Sequence, residues 1–171
     1  IGDCLPLLLS LNAQVVLQDL KKNKILFLDD FFISYRKTKL KKGQFISSIR
    51  IPILKGNILK SYKVSKRFDD DISSVCAAFN LEIVKNKFQS VRIAYGGMAA
   101  IPKRAVHCEK ILSNSLVTDE IIHKAKKALE RDFKPISDMR ASGSYRMNIA
   151  KNLLEKCCAE IKQKKLIGIY F

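Results

Sequence analysis

Two runs in which apolar residues recur at every second position constrain this chain more than any other feature. Val75, Ala77, Phe79, Leu81 and Ile83 form the first, and Val91, Ile93 and Tyr95 form the second. A period of two belongs to a strand with one face on a core. The polar stretch Lys85-Asn86-Lys87 lies between them and predicts a β-hairpin. Tyr62 and Val64, in LKSYKVSKR, suggest a third strand beside it.

Beyond the hairpin the spacing becomes helical. In PKRAVHCEKIL, Pro102 suits a first helical position, and Ala105, Cys108 and Leu112 share one face. TDEIIHKAKKALERDF carries Thr118 as N-cap, acids in its first turn and Arg131 near its end, which matches the helix dipole. A third helix is predicted over about 141–161, with Ile149, Ala150, Leu153, Leu154, Cys157 and Ile161 on one stripe. Strands followed by helices give the expected fold class: α+β, a three-stranded antiparallel sheet covered by three helices.

The first fifty residues read differently. Asp3 is a good N-cap for an apolar helix to about Leu11. Val15–Leu17 and Ile25–Leu28 read as strands joined by the turn Lys21-Lys22-Asn23. Ile49, Ile51 and Ile53 alternate with Ser48, Arg50 and Pro52, the pattern of a half-buried strand ending near the proline. The turn-like Leu54–Asn57 marks a domain boundary.

Composition removes several function classes. The 171 residues are 47% hydrophobic, enough for a core, yet the apolar runs are too short for a membrane span. The five cysteines are odd in number and include no C-x-x-C pair, so neither a zinc site nor a disulfide framework is indicated. A reduced, cytoplasmic compartment is expected. The first residue is Ile, which suggests a chain that begins inside a longer protein.

A net charge of +16 raises the question of nucleic acid. Only Arg36–Lys42 (RKTKLKK) forms a dense basic run, however, and it lacks interleaved aromatics and any binding module. No nucleic-acid partner is expected; a solvated lysine surface, or a patch that receives an acidic partner, explains the charge better. His107 and His123 have no metal or acid-base partners at ligand spacing, so both are expected at the surface. Nucleophile elbows, Walker loops and G-x-G-x-x-G fingerprints are absent. Gly96-Gly97, in IAYGGMAAIPKRA, sits between strand and helix without the further glycine or lysine a phosphate cradle needs, and reads as a structural turn.

Three blocks carry a family resemblance. SYKVSKRFDDDISSVCAAFNLEI, VRIAYGGMAAIPKRA and SDMRASGSYRMNIAKNLL resemble the carboxyl-terminal region of the flavin-binding part of the xanthine dehydrogenases, a domain shared with carbon monoxide dehydrogenase flavoproteins. IGDCLPLLLSLNAQVVL and DDFFISYRKTKLKKGQFISSIRIP are similar to the closing half of the FAD-binding domain that precedes it. The resemblance implies two units. Residues 1–54 would end an α+β FAD-binding subdomain, and 58–165 would form the flavoprotein carboxyl-terminal domain.

The same resemblance implies a function. It points to an oxidoreductase of the molybdenum hydroxylase class, with FAD passing electrons from iron–sulfur clusters to NAD during oxidation of hypoxanthine and xanthine to urate. The 2Fe-2S clusters and the molybdenum cofactor would lie outside this chain, the latter in a large partner subunit. Three positions match flavin-contacting positions: Asp3 as a hydrogen-bond acceptor, Ile46 through backbone or apolar surface, and Lys63 as a cation at the flavin's electron-rich edge. No residue is assigned a catalytic or metal-binding role. The glycine-rich segment that cradles the flavin pyrophosphate does not occur in the sequence, so the chain alone is expected to bind flavin weakly and to be inactive. A related hydroxylase with another substrate, or a non-catalytic interaction domain, are the alternatives.

Overall fold

The computed structural model describes residues 2–68 and 71–163. Its elements run α1 (Cys4–Ser10), β1 (Gln14–Gln18), β2 (Asn23–Phe27), α2 (Leu28–Phe31), β3 (Phe32–Ser34), β4 (Lys37–Thr38) and β5 (Phe45–Arg50). After the expected boundary come β6 (Ile58–Val64), β7 (Val75–Val84), β8 (Lys87–Gly96), β9 (Lys103–Arg104), α3 (Val106–Leu112), α4 (Asp119–Asp132) and α5 (Gly143–Gln163). The expected third helix thus starts two residues later than its sequence pattern suggests.

β7 and β8 form the predicted hairpin, pairing antiparallel from Cys76↔Gly96 to Val84↔Lys87. Its loop is only Lys85-Asn86, both at positive φ (48° and 58°), the double left-handed geometry whose twist matches the flanking strands. β6 adds to β7 as the third long strand. The sheet order is β6-β7-β8-β9, so a two-residue fourth strand extends the expected three. That strand is a correction: Lys103–Arg104 pairs with Tyr95 and Ala94, so Pro102 precedes a strand and does not open a helix.

α3 starts at Val106, and its N-cap Ala105 has no side chain to cap with. The buried carboxylate of Asp132, at the end of α4, does so from outside, accepting from the backbone N–H of His107 (2.9 Å) and Cys108 (3.0 Å). α4 is capped as predicted, with Thr118 accepting from Ile121 N–H. One face of the sheet carries Val75, Ala77, Phe79, Leu81, Ile93 and Tyr95 against the three helices. Tyr62, Phe79, Tyr95 and Phe133 run through this core as edge-to-face pairs 5.4–5.9 Å apart.

The opposite face is also buried, contrary to a hairpin with a single core face. Cys76, Ala78, Asn80 and Ala94 are as enclosed as the residues they alternate with. α1 lies on them. Ala78 and Ala94 sit directly opposite each other, and these small side chains let the helix approach closely. The polar members of this face meet the helix end: Asn80 Nδ2 donates to Ser10 O (2.9 Å) and Arg92 Nη2 to Leu9 O (3.0 Å). These are carbonyls the helix cannot satisfy internally. Asp29 of α2 joins the clamp, paired with Arg92 (3.0 Å) and Arg104 (3.3 Å).

The second, three-stranded sheet has the order β2-β1-β5. Val15 and Leu17 bury one of its faces with Leu9, Leu28 and Phe31. Here the half-buried strand expected around Ile49, Ile51 and Ile53 needs correcting. The strand ends at Arg50, and all three isoleucines are exposed. β5 is an edge strand, and among the described residues nothing covers it.

Candidate functional site

Asp3 and Lys63 meet. The Lys63 ammonium lies 2.9 Å from Asp3 Oδ2, and Ser73 Oγ donates to Asp3 Oδ1 at 2.6 Å. The N-cap expected of Asp3 is not made by its side chain: the backbone stands where an N-cap would, but the carboxylate makes no cap bond. It turns instead toward the strand residue Lys63 and the loop residue Ser73. Cys76 Sγ, opposite Lys63 in the sheet, reaches Asp3 O at 3.4 Å.

This geometry sets the electrostatics. Partial burial opposes ionisation of Asp3, but the Ser73 hydroxyl and the Lys63 ammonium outweigh it and hold the carboxyl below the usual range. The bond to Asp3 raises Lys63 correspondingly. Burial pushes the Cys76 thiol up to about 11, so it stays neutral at physiological pH. A depressed carboxylate stabilises the fold above its unfolded value, and that contribution is lost as pH falls through the folded value. A raised lysine contributes below its unfolded value and loses its contribution at alkaline pH. Asp3→Asn is therefore expected to narrow its stability gap to the wild type as pH drops below about 4. Urea unfolding at a series of pH values from neutral downward checks this, and a pH-independent gap would refute it.

Ile46 is not brought to this cluster. It lies on β5 in the other sheet, exposed and paired with Leu17. The structure thus unites two of the three sequence-predicted residues. Ser73 is the member sequence reading missed. Its only signal was its place in the DDDISS loop, which does not distinguish it from its neighbours.

Two clefts flank the cluster. One of about 470 Å³ is lined by Ser65, Lys66, Ser74, Arg140, Ser142 and Tyr145. The other, about 510 Å³, is lined by residues including Tyr35, Ile72, Gly97, Lys134, Arg140 and Arg146. The wall between them is the segment 134–142, held by the buried Arg146. Its Nη1 donates to Ser74 O and to Gly97 O (3.1 Å), and its Nη2 to Asp138 Oδ1 (2.7 Å). Lys66 Nζ donates to Met139 O (2.7 Å). Among the three aspartates that follow Phe68, Asp71 pairs with Arg67 (3.5 Å), while Asp69 and Asp70 lie outside the described residues.

Gly97 is a structural turn, with φ +82° and no room for a side chain beside Ser74 O. His107 is more than a surface residue: Nδ1 is 2.8 Å from Asp132 Oδ1. No group of three or more metal-ligating side chains occurs among the described residues. No helix among them is long and apolar enough to cross a membrane.

Residues 60–161 match the model of the CO dehydrogenase flavoprotein C-terminal domain. The chain belongs to that family. Residues 1–54 match the model of the FAD binding domain in molybdopterin dehydrogenase, which bears out the resemblance read from the sequence blocks. Xanthine dehydrogenase of Emericella nidulans is 37% identical over 137 residues, 78% of this chain and 10% of its own length. Glyceraldehyde dehydrogenase medium chain of Sulfolobus acidocaldarius is 29% identical over 155 residues, 90% of this chain and 54% of its own length. Among solved structures, reconstituted CO dehydrogenase from Oligotropha carboxidovorans shares the fold with a TM-score of 0.84 and 25% identity. That match covers 92% of this chain and 56% of the other. The family member therefore spans about a tenth of the first relative and about half of the other two.

Proposed function

We propose that this chain is part of the FAD-binding subunit of a molybdenum hydroxylase that oxidises hypoxanthine and xanthine to urate, with NAD as final acceptor. The observation that carries the flavin part of this reading is the Asp3–Lys63–Ser73 cluster, which joins residues of the two matched segments, and the purine substrate rests on the similarity to xanthine dehydrogenase. In the proposed protein, residues 1–54 and 58–165 act as two units clamped into one body, although residues 164 and 165 lie outside the described ones.

The cluster suits a flavin edge. A half-exposed ammonium and a hydroxyl-anchored carboxylate stand side by side, one a donor and the other an acceptor. FAD, when bound, supplies the two-electron exchange with NAD. Lys63 would hold positive charge where negative charge develops, and Asp3 would keep that ammonium oriented while accepting from a polar group of the cofactor. Ile46 would contribute from β5. The cleft lined by Tyr35, Ile72, Lys134 and Arg140, in which Asp138 is already paired with Arg146, has the size and net positive charge to receive part of an anionic dinucleotide acceptor. Iron–sulfur clusters and a molybdenum-binding large subunit complete the proposed enzyme, in a cytoplasmic setting.

The relatives' names cover different substrates, so a hydroxylase acting on another small molecule is the second reading, favoured by the glyceraldehyde dehydrogenase match. The test is to purify the protein with the reading frame preceding Ile1, reconstitute it with FAD and record the visible spectrum. A colourless product would overturn the reading. Lys63→Met is expected to weaken FAD binding about tenfold or to lower the flavin potential, and Lys63→Arg to retain most of it. Unchanged binding and potential in Lys63→Met would remove Lys63 from the site.

A further inference from the structure

The ten cations between Lys21 and Lys55 behave unlike those in the rest of the chain. Among the described residues none of them forms an ion pair, whereas twelve ion pairs involve lysines or arginines from Lys60 onward. The acids within residues 19–55 are Asp19, Asp29 and Asp30, and Asp29 is already committed to Arg92 and Arg104.

Five of the ten gather at one end of the β2-β1-β5 sheet. Asp19 Oδ1 accepts from the backbone N–H of Lys21 (2.8 Å) and Lys22 (3.0 Å), which fixes the β1–β2 turn. Its Oδ2 accepts from Gln44 Nε2 (3.4 Å), and Lys41 N–H donates to Gln44 Oε1 (3.2 Å). These bonds tie the turn to the loop before β5, so Lys21, Lys22 and Lys24 stand beside Lys41 and Lys42. At the apex of the fixed turn is Leu20, with a relative exposure of 104%. A turn fixed by these bonds thus presents a fully exposed leucine among lysines, with the partly exposed Leu40 and Phe45 on the neighbouring loop and strand.

We propose that this tip docks an acidic protein surface, with Leu20 seated in an apolar dimple of the partner. The inference rests on charge and exposure and does not depend on the flavin reading. Leu20 with the partly exposed Leu40 and Phe45 falls short of the continuous apolar helix face that holds a protein on a bilayer. These lysines carry no guanidinium fork, which phosphate recognition favours, and Phe45, exposed opposite Gln18, is a single ring where base stacking uses successive ones. Point charges around a fixed apolar anchor instead suit a steered, salt-dependent protein contact.

The experiment compares three forms of the purified chain: wild type, Lys21/Lys22/Lys41/Lys42→Glu at the tip, and Lys85/Lys87/Lys110/Lys127→Glu elsewhere, which alters the same total charge. Poly-L-glutamate serves as the acidic polypeptide probe, with phosphatidylserine-rich vesicles and duplex DNA as competing probes. The tip variant is expected to lose at least about tenfold in poly-L-glutamate affinity, and the control variant less than about twofold. Leu20→Ser leaves the charge intact and is expected to leave any vesicle association unchanged. All replaced side chains are exposed, and matching circular dichroism spectra confirm that each form is folded. Equal losses in the two charge variants would overturn the proposal, as would tighter, tip-dependent binding to vesicles or to DNA.

Discussion

Arg146→Met is expected to lower the free energy of unfolding by about 2–4 kcal/mol, the cost of leaving two enclosed backbone carbonyls without their donor. Arg146 is 1% exposed and lies in the first turn of α5. It gathers the loop before β7, the turn after β8 and the segment before α5 through Ser74 O, Gly97 O and Asp138. Met fills a similar volume but leaves Ser74 O and Gly97 O without this donor, which is where most of the loss arises, whereas the partly exposed Asp138 keeps the backbone N–H groups of Arg140 and Ala141. Among the described residues the buried Nε of Arg146 has no partner, so the guanidinium's net benefit is smaller than its bonds suggest. Arg146→Lys keeps the charge but only one nitrogen, and an intermediate loss is expected. Urea titration of the three proteins measures this ordering. A loss under about 1 kcal/mol for the Met variant would show that the three segments hold together without the staple.

Gly97→Ala is the second large effect, expected at about 3 kcal/mol, against about 1 kcal/mol for Gly56→Ala. Both glycines have positive φ, +82° and +79°. Left-handed strain is therefore nearly the same in the two variants. They differ in surroundings: a Cβ at Gly56 meets nothing within 4 Å, while one at Gly97 would press on Ser74 O and on Arg146 Nη1. The comparison separates steric exclusion from backbone strain. Equal losses in equilibrium unfolding would mean that the strand end yields and that the close approach is unimportant. Because Ser74 is next to Ser73, a displaced Ser74 would also loosen the hydroxyl that orients Asp3.

Position in the chain decided how much was legible. The hairpin, its third strand and the three helices after it announce themselves through periodicity, because each buries a regular face against the others. The first fifty residues carry weaker signals. Ile49, Ile51 and Ile53 alternate as a half-buried strand would, but alternation cannot tell a covered edge from an uncovered one. Pro102 fits a helix start by local preference; pairing of Lys103–Arg104 with β8 prevails because the sheet edge is already in place. Asp3 shows the same limit at the candidate site. Its sequence position makes it an N-cap, and Lys63 and Ser73, sixty and seventy residues away, draw its carboxylate elsewhere.

The sequence by itself determined the fold class, the family and two members of the candidate site, because these depend on side-chain periodicity and on short blocks of residues. Only the tertiary structure decided that α1 covers the second face of the hairpin, that Asp132 caps α3, that Arg146 staples three segments and that Ser73 completes the Asp3–Lys63 pair. Each of these is a contact between groups far apart in the chain, and most of them join polar or charged atoms. Such contacts form because burial leaves a donor or acceptor in need of a partner, and which partner is in reach is settled only when the sheets and helices have packed.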